Sequence, residues 1–93
     1  MSIVIVGGND CMVRQYKDLC AEYDCRAKVF TQVPKGFREK VGTPDMMVLF
    51  THTVSHKMVQ SALIEARRKN VKVVRSHTSS SHALRDILAA HTH

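Results

Sequence analysis

The chain has 93 residues, which is enough for a single domain spanning residues 1–93. Hydrophobic residues make up 44% and charged residues 24% of it, so the composition excludes a disordered chain. No apolar run approaches the roughly 20 residues of a membrane-spanning helix. The formal net charge of +6, with six further histidines, favours anionic partners such as phosphates, carboxylates or nucleic acid.

Four short apolar runs predict β-strands, and helical periodicity fills the gaps between them. The strands are expected over residues 3–6, 27–30, 46–50 and 71–74. Helices are expected around Tyr16, from Met58 to residues 67–70, and around Leu88, with one short helical turn over residues 34–41 that Gly42 ends.

This alternation of strands and helices predicts an α/β domain with helices on both faces of a parallel sheet. Right-handed crossovers favour a small, doubly wound, Rossmann- or flavodoxin-like layout with strand order 2-1-3-4. Strands 1 and 3 would then lie side by side with connections leaving in opposite directions. Ligands tend to bind at such a switch point, beyond the carboxyl ends of the strands.

Polar residues follow three of the predicted strands, over residues 7–11, 51–56 and 75–82. In a parallel sheet all three segments fall at the same edge. Four of the six histidines lie in them: His52, His56, His77 and His82. We therefore expect a ligand site at this edge.

Two glycines, Gly7 and Gly8, permit a tight turn and a close approach of a ligand to the backbone. They match neither the dinucleotide fingerprint nor a P-loop, and a plain turn explains them equally well. The serines Ser79–Ser81 supply a helix N-cap and could also hold an anion. Together these groups favour an alternative function, a nucleotide- or phosphate-binding regulatory module.

His52 and His56 are four residues apart, so they would share one face if the segment between them were helical. Neutral imidazole binds transition metals and haem iron. A zinc site is not indicated, because no cysteine or acidic partner stands at a recognised spacing. A helix capped by Ser55, with two polar histidines beside it, is the structural alternative.

Other candidate groups are cationic, aromatic or a thiol. Arg14 and Arg75 could each hold a carboxylate or phosphate in a bidentate contact. Phe50, the last residue of its strand, could line a pocket, although a core position is also open to it. Cys11 lies near a helix N-terminus, where a thiol can be reactive, or it is a buried helical cysteine.

Several classes of function are disfavoured. Asp10 is the one clear acidic residue at the edge, and the sequence shows no nucleophile elbow or paired carboxylates, so catalysis is less favoured than ligand binding. Arg67, Arg68 and Lys69 suit the negative end of a helix dipole, which makes a nucleic-acid partner unlikely. Three cysteines without paired spacing, and a strand that starts at Ser2 in place of a signal peptide, predict a cytoplasmic protein.

Three segments of the chain resemble the bacterial DUF2325 family: IVIVGG at residues 3–8, VLFTHTVSH at 48–56 and RSHTSS at 75–80. The resemblance covers nearly the whole chain and implies a small domain, some members of which are associated with haem binding. It makes His56, in the Val-Ser-His motif, the first candidate for an axial ligand and His52 the second. The covalent Cys-x-x-Cys-His attachment motif is absent, so the haem would be bound non-covalently.

The leading hypothesis is a non-enzymatic, homodimeric haem-binding protein that acts as a sensor or carrier. A monomer of this size encloses a large planar ligand with difficulty, which favours a subunit interface. The expected iron ligands are His56 and His52. The other expected cofactor contacts are Gly7, Gly8, Arg14, Phe50, His52, Arg75, His77 and Ser79.

Overall fold

Four parallel strands form one sheet in the order β2-β1-β3-β4 in the computed structural model, which describes residues 1–92. The strands are β1 (Ser2–Val6), β2 (Arg26–Phe30), β3 (Met46–Phe50) and β4 (Lys72–Ser76). The helices are α1 (Val13–Glu22), α2 (Phe37–Val41), α3 (His56–Arg68) and α4 (Ser81–His91). The predicted α/β class and strand order are confirmed.

The sheet separates two hydrophobic layers, because successive side chains of a strand point to opposite faces. Ile3 and Ile5 of β1 pack on one face with Leu84 of α4, and α1 joins the same layer. Val4 and Val6 pack on the other face, where α2 and α3 cover them. All five residues of β3 are buried, as its continuously apolar sequence predicts.

Helix ends follow the capping signals of the sequence. The hydroxyl of Ser55 accepts a hydrogen bond from the Met58 amide at 3.2 Å, so α3 begins at His56. Asn70 takes the left-handed conformation just beyond α3, at φ 57°, and Gly42 ends α2 at φ 65°. None of the helices described is long and apolar enough to cross a membrane.

The predicted end of the fourth strand is wrong by two residues. Arg75 was expected in the loop after it, but β4 continues to Ser76, with Arg75 opposite Leu49 and Ser76 opposite Phe50. Polar residues are tolerated there because β4 lies at the edge of the sheet, where one side is exposed. The consequence for the site is that Arg75 belongs to the sheet face that α3 covers.

Candidate functional site

The turn after β1 is packed against the protein itself. The Gly7 amide donates to the Phe30 carbonyl at 2.8 Å, and the Gly8 amide donates to the Thr53 hydroxyl at 2.7 Å. A Cβ atom at Gly7 would lie 2.7 Å from the side chain of Val54. Neighbouring protein groups therefore explain the need for glycine at this position.

Tyr16 occupies the space above the second glycine. Its hydroxyl donates to the Ser79 carbonyl at 2.6 Å, and its ring centroid lies 5.4 Å from that of Phe50. Phe50 is fully buried beneath it. The structure thus places Phe50 in the core between sheet and helix.

The serine run before α4 serves mainly to start that helix. Ser80 is the N-cap, with its hydroxyl accepting from the Ala83 amide at 3.1 Å, and Ser79 provides the carbonyl that Tyr16 contacts. The amides of Gly7 and Gly8 are engaged as well, so of the groups on which the phosphate-binding alternative depends, these two amides and the Ser80 hydroxyl already have partners in the protein.

His52 and His56 do not share a helix face. Residues Thr51–Thr53 form a 3-10 turn, and Val54 and Ser55 are extended. His52 instead faces His77, with ring centroids 5.1 Å apart and ring planes at 58°. Of the four histidines expected together, only His52 and His77 form a close pair of exposed rings among the described residues. His56 and His82 lie on the separate helices α3 and α4.

His56 lies in a groove of about 570 Å³ between α3 and β4, which we call the α3–β4 groove. Its lining residues are His56, Val59, Gln60, Leu63, Ile64, Arg67 and Arg75. Three of these residues are apolar, and two are arginines. Arg67 lies in the last turn of α3, and Arg75 lies on β4. No acidic residue lines the groove.

The His56 ring has its Nε2 atom 3.0 Å from the side-chain amide nitrogen of Gln60. Gln60 lies one helical turn beyond His56 on α3, so its side chain is the nearest polar neighbour that this ring nitrogen has there. An imidazole nitrogen that carries a lone pair is the atom that binds a metal. The apolar wall includes Ile64, whose side chain is unusually exposed for an isoleucine at 53%.

The remaining predicted residues lie away from this groove. Arg14 is exposed on α1, which covers the opposite face of the sheet. Cys11 is exposed in a 3-10 turn, so the expectation that it is a buried helical cysteine is wrong. The Asp10 carboxylate accepts a hydrogen bond from the Thr31 hydroxyl.

Five lining residues of the groove are not among the site residues expected from the sequence: Val59, Gln60, Leu63, Ile64 and Arg67. With His56 they recur at spacings of three and four, which is the pattern of one helix face. The pattern is therefore present in the sequence, where Arg67 is assigned to the helix dipole. An isoleucine and an arginine on one outward face, beside a histidine, are the features that would have indicated a ligand surface.

The thiols of Cys20 and Cys25 are buried, and neither they nor Cys11 forms a disulfide. Burial, with a smaller contribution from the neighbouring Cys25, raises the pKa of Cys20 to about 11. Cys20 is therefore a protonated core residue at neutral pH. It takes no part in the α3–β4 groove.

The parallel sheet and its helices on both faces define a Rossmann-like α/β domain, with a groove of mixed apolar and cationic lining on one face. The chain belongs to the DUF2325 family, described as an uncharacterized protein conserved in bacteria, whose model matches residues 2–91. No curated protein and no solved structure matches the chain.

Proposed function

We propose that this protein binds haem non-covalently in the α3–β4 groove, with His56 as the iron ligand, and acts as a sensor or carrier. The observation that carries the proposal is the composition of that one groove. It combines a histidine with apolar side chains and two arginines. Haem needs the same three things: an axial ligand, an apolar surface for the macrocycle and cations for its propionates.

The size of the groove supports the proposal. Its volume of about 570 Å³ lies within the range of pockets that bind small molecules and cofactors, about 300–1,000 Å³. Val59, Leu63 and Ile64 would lie against the macrocycle, while Arg67 and Arg75 would pair with the carboxylates. Bound haem would supply a redox-active iron that can bind small ligands.

His56 is preferred over His52 as the iron ligand because of its surroundings. His56 shares its groove with the apolar residues, whereas His52 stands beside another histidine at the end of the sheet. On binding iron, the Nε2 atom of His56 would exchange its contact with the Gln60 amide for the metal.

We also infer a homodimer from the shape of this surface. The groove lies on the surface, lined by α3 and by Arg75 of the edge strand β4, so a haem bound there would keep one of its faces in water. A second copy of the chain would cover that face. Light scattering at micromolar concentration should give twice the chain mass, and a monomer mass with and without haem would contradict this inference.

The proposed cellular location is the cytoplasm. All three thiols are free, and Cys11 is exposed to solvent. Free, exposed thiols suit a reducing compartment. Fractionation of cells that produce the protein tests the location.

The haem site is tested by titrating hemin into matched histidine variants. His56→Ala should weaken haem binding at least tenfold, because it removes the iron ligand. His82→Ala is the control: His82 is likewise exposed in the first turn of a helix, but it pairs with Asp86 on α4. Equal affinities for His56→Ala and the control would contradict the assignment.

A further inference from the structure

We propose that His52 and His77 form a second site, for a divalent transition-metal ion, separate from the α3–β4 groove. The two imidazoles face each other with their ring centroids 5.1 Å apart at the carboxyl edge of the sheet. Both side chains are exposed, so an ion can reach them from solvent. Neither residue lines the groove that contains His56.

The fold fixes both histidines at their backbones. Phe50, the last residue of β3, lies opposite Ser76, the last residue of β4. His77 follows directly after Ser76, and His52 stands two residues after Phe50, in the 3-10 turn. The Thr51 hydroxyl donates to the Ser76 carbonyl at 3.4 Å, which joins the two segments. The pair is therefore a product of the strand register.

The turn that carries His52 is also braced from its other side. The Thr53 hydroxyl donates to the Phe50 carbonyl at 3.2 Å and accepts from the Gly8 amide at 2.7 Å. His52 thus stands between Thr51, which is hydrogen-bonded to β4, and Thr53, which is hydrogen-bonded to the end of β3 and to the turn after β1. A metal-coordinating histidine in such a braced turn loses little backbone freedom when an ion binds.

The separation of the rings fits a shared ion. A metal bound about 2.0–2.1 Å from an imidazole nitrogen lies roughly 3 Å from the centre of that ring. Two rings that meet at one ion with a near-tetrahedral angle then have centres about 5 Å apart. The observed 5.1 Å agrees with this value.

The chemistry of the pair selects the kind of ion. Imidazole prefers Ni²⁺, Cu²⁺ and Zn²⁺ over the oxygen-seeking Mg²⁺ and Ca²⁺. Within residues 1–92 no group of three or more histidine, cysteine, aspartate or glutamate side chains could hold a metal. Two protein ligands would therefore be completed by water, which gives an exchangeable site of modest affinity.

The test is a calorimetric titration of the haem-free protein with Ni²⁺, an ion that does not oxidise the exposed Cys11 thiol. The wild type should bind one ion with modest affinity, and His52→Ala and His77→Ala should each weaken that site at least tenfold. The double variant should bind no more weakly than either single variant, since both ligands act on one ion. Circular dichroism checks that each variant is folded.

The control variant is again His82→Ala, which should bind Ni²⁺ with the affinity of the wild type. Single variants at His52 and His77 that retain wild-type affinity would overturn the proposal, and so would a wild type that shows no stoichiometric binding. Because no haem is present, the result is independent of the function proposed for His56.

Discussion

The Tyr16 ring lies directly over the α-carbon of Gly8. A Cβ atom at Gly8 would stand 2.7 Å from Cε2 of this ring and 2.9 Å from its hydroxyl oxygen. The same hydroxyl holds the carbonyl of Ser79, in the loop before α4. The Tyr16 side chain therefore connects the turn after β1 to the segment that follows β4. The contact with the turn is possible because Gly8 has no Cβ atom.

Gly8→Ala should lower the free energy of unfolding by about 2–4 kcal/mol. It combines a left-handed backbone, at φ 90°, with a steric clash against a buried ring. Urea unfolding measures the change. Gly36→Ala is the control, since φ there is 73° but the nearest atom is an ordinary 3.5 Å away; it should cost about 1 kcal/mol. Equal losses in the two variants would contradict the role given to Tyr16.

Glu65→Met should stabilise the protein by about 1–3 kcal/mol. Glu65 is 8% exposed on the inner side of α3, and its buried Oε1 atom has no hydrogen-bond partner in the described part of the chain. A buried polar atom without a partner costs about that much, and methionine has a similar volume. Urea midpoints measure the effect.

The matched control for this change is Glu39→Met, at an exposed position of α2. It should move the midpoint by less than about 0.5 kcal/mol, as surface substitutions usually do. A destabilised Glu65→Met variant would show that the carboxyl group is needed in the fold.

Cys11 should react with a thiol reagent within minutes at pH 8, while Cys20 and Cys25 react only after unfolding. Cys11 is exposed, whereas the other two are buried, and burial raises the pKa of Cys20 to about 11. Ellman's reagent should therefore count one thiol in the native protein and three in denaturant. Cys11→Ser should remove the fast reaction, and a fast reaction that survives it would contradict the burial of the other two.

Stability should also fall as the pH rises from 9.0 to about 11, because the unfolded chain releases the Cys20 proton before the folded protein does. Well below pH 9.0 the thiol is protonated in both states, so this contribution to stability is constant there. Cys20→Ala should make the stability profile less steep in this window. An unchanged slope would show that another group causes the loss.

Arg75→Gln should weaken haem binding severalfold, whereas Arg14→Gln should have no effect. Arg75 lines the α3–β4 groove, where it can pair with a propionate. Arg14 lies on α1, across the sheet from that groove. Hemin titrations of the two variants test this, and a loss confined to Arg14→Gln would place the cofactor on the other face.

The sequence predicts the strand order well because the apolar pattern of each element reflects its layer. Residues 46–50 are apolar throughout, and β3 is covered on both faces over that range. The end of β4 could not be predicted in the same way. Arg75 and Ser76 are polar, yet they continue an edge strand whose outer side needs no apolar cover.

The site was predicted less completely than the fold. His56 was selected from its motif, but its expected neighbours were the other residues of the carboxyl edge. The extended Ser55 separates it from His52, so His56 falls on the outer side of α3. Which side chains meet across α3 and β4 depends on the angle between a helix and a strand, and a single sequence does not contain that angle.

The most direct test of the proposed function is the visible absorption of the purified wild-type protein as hemin is added. The account predicts a Soret band that shifts away from that of free hemin and saturates at a fixed ratio of haem to chain, and a His56→Ala variant that lacks this shifted band. A wild type whose spectrum remains the sum of free hemin and protein would contradict haem binding, and a shifted band retained by His56→Ala would contradict the ligand.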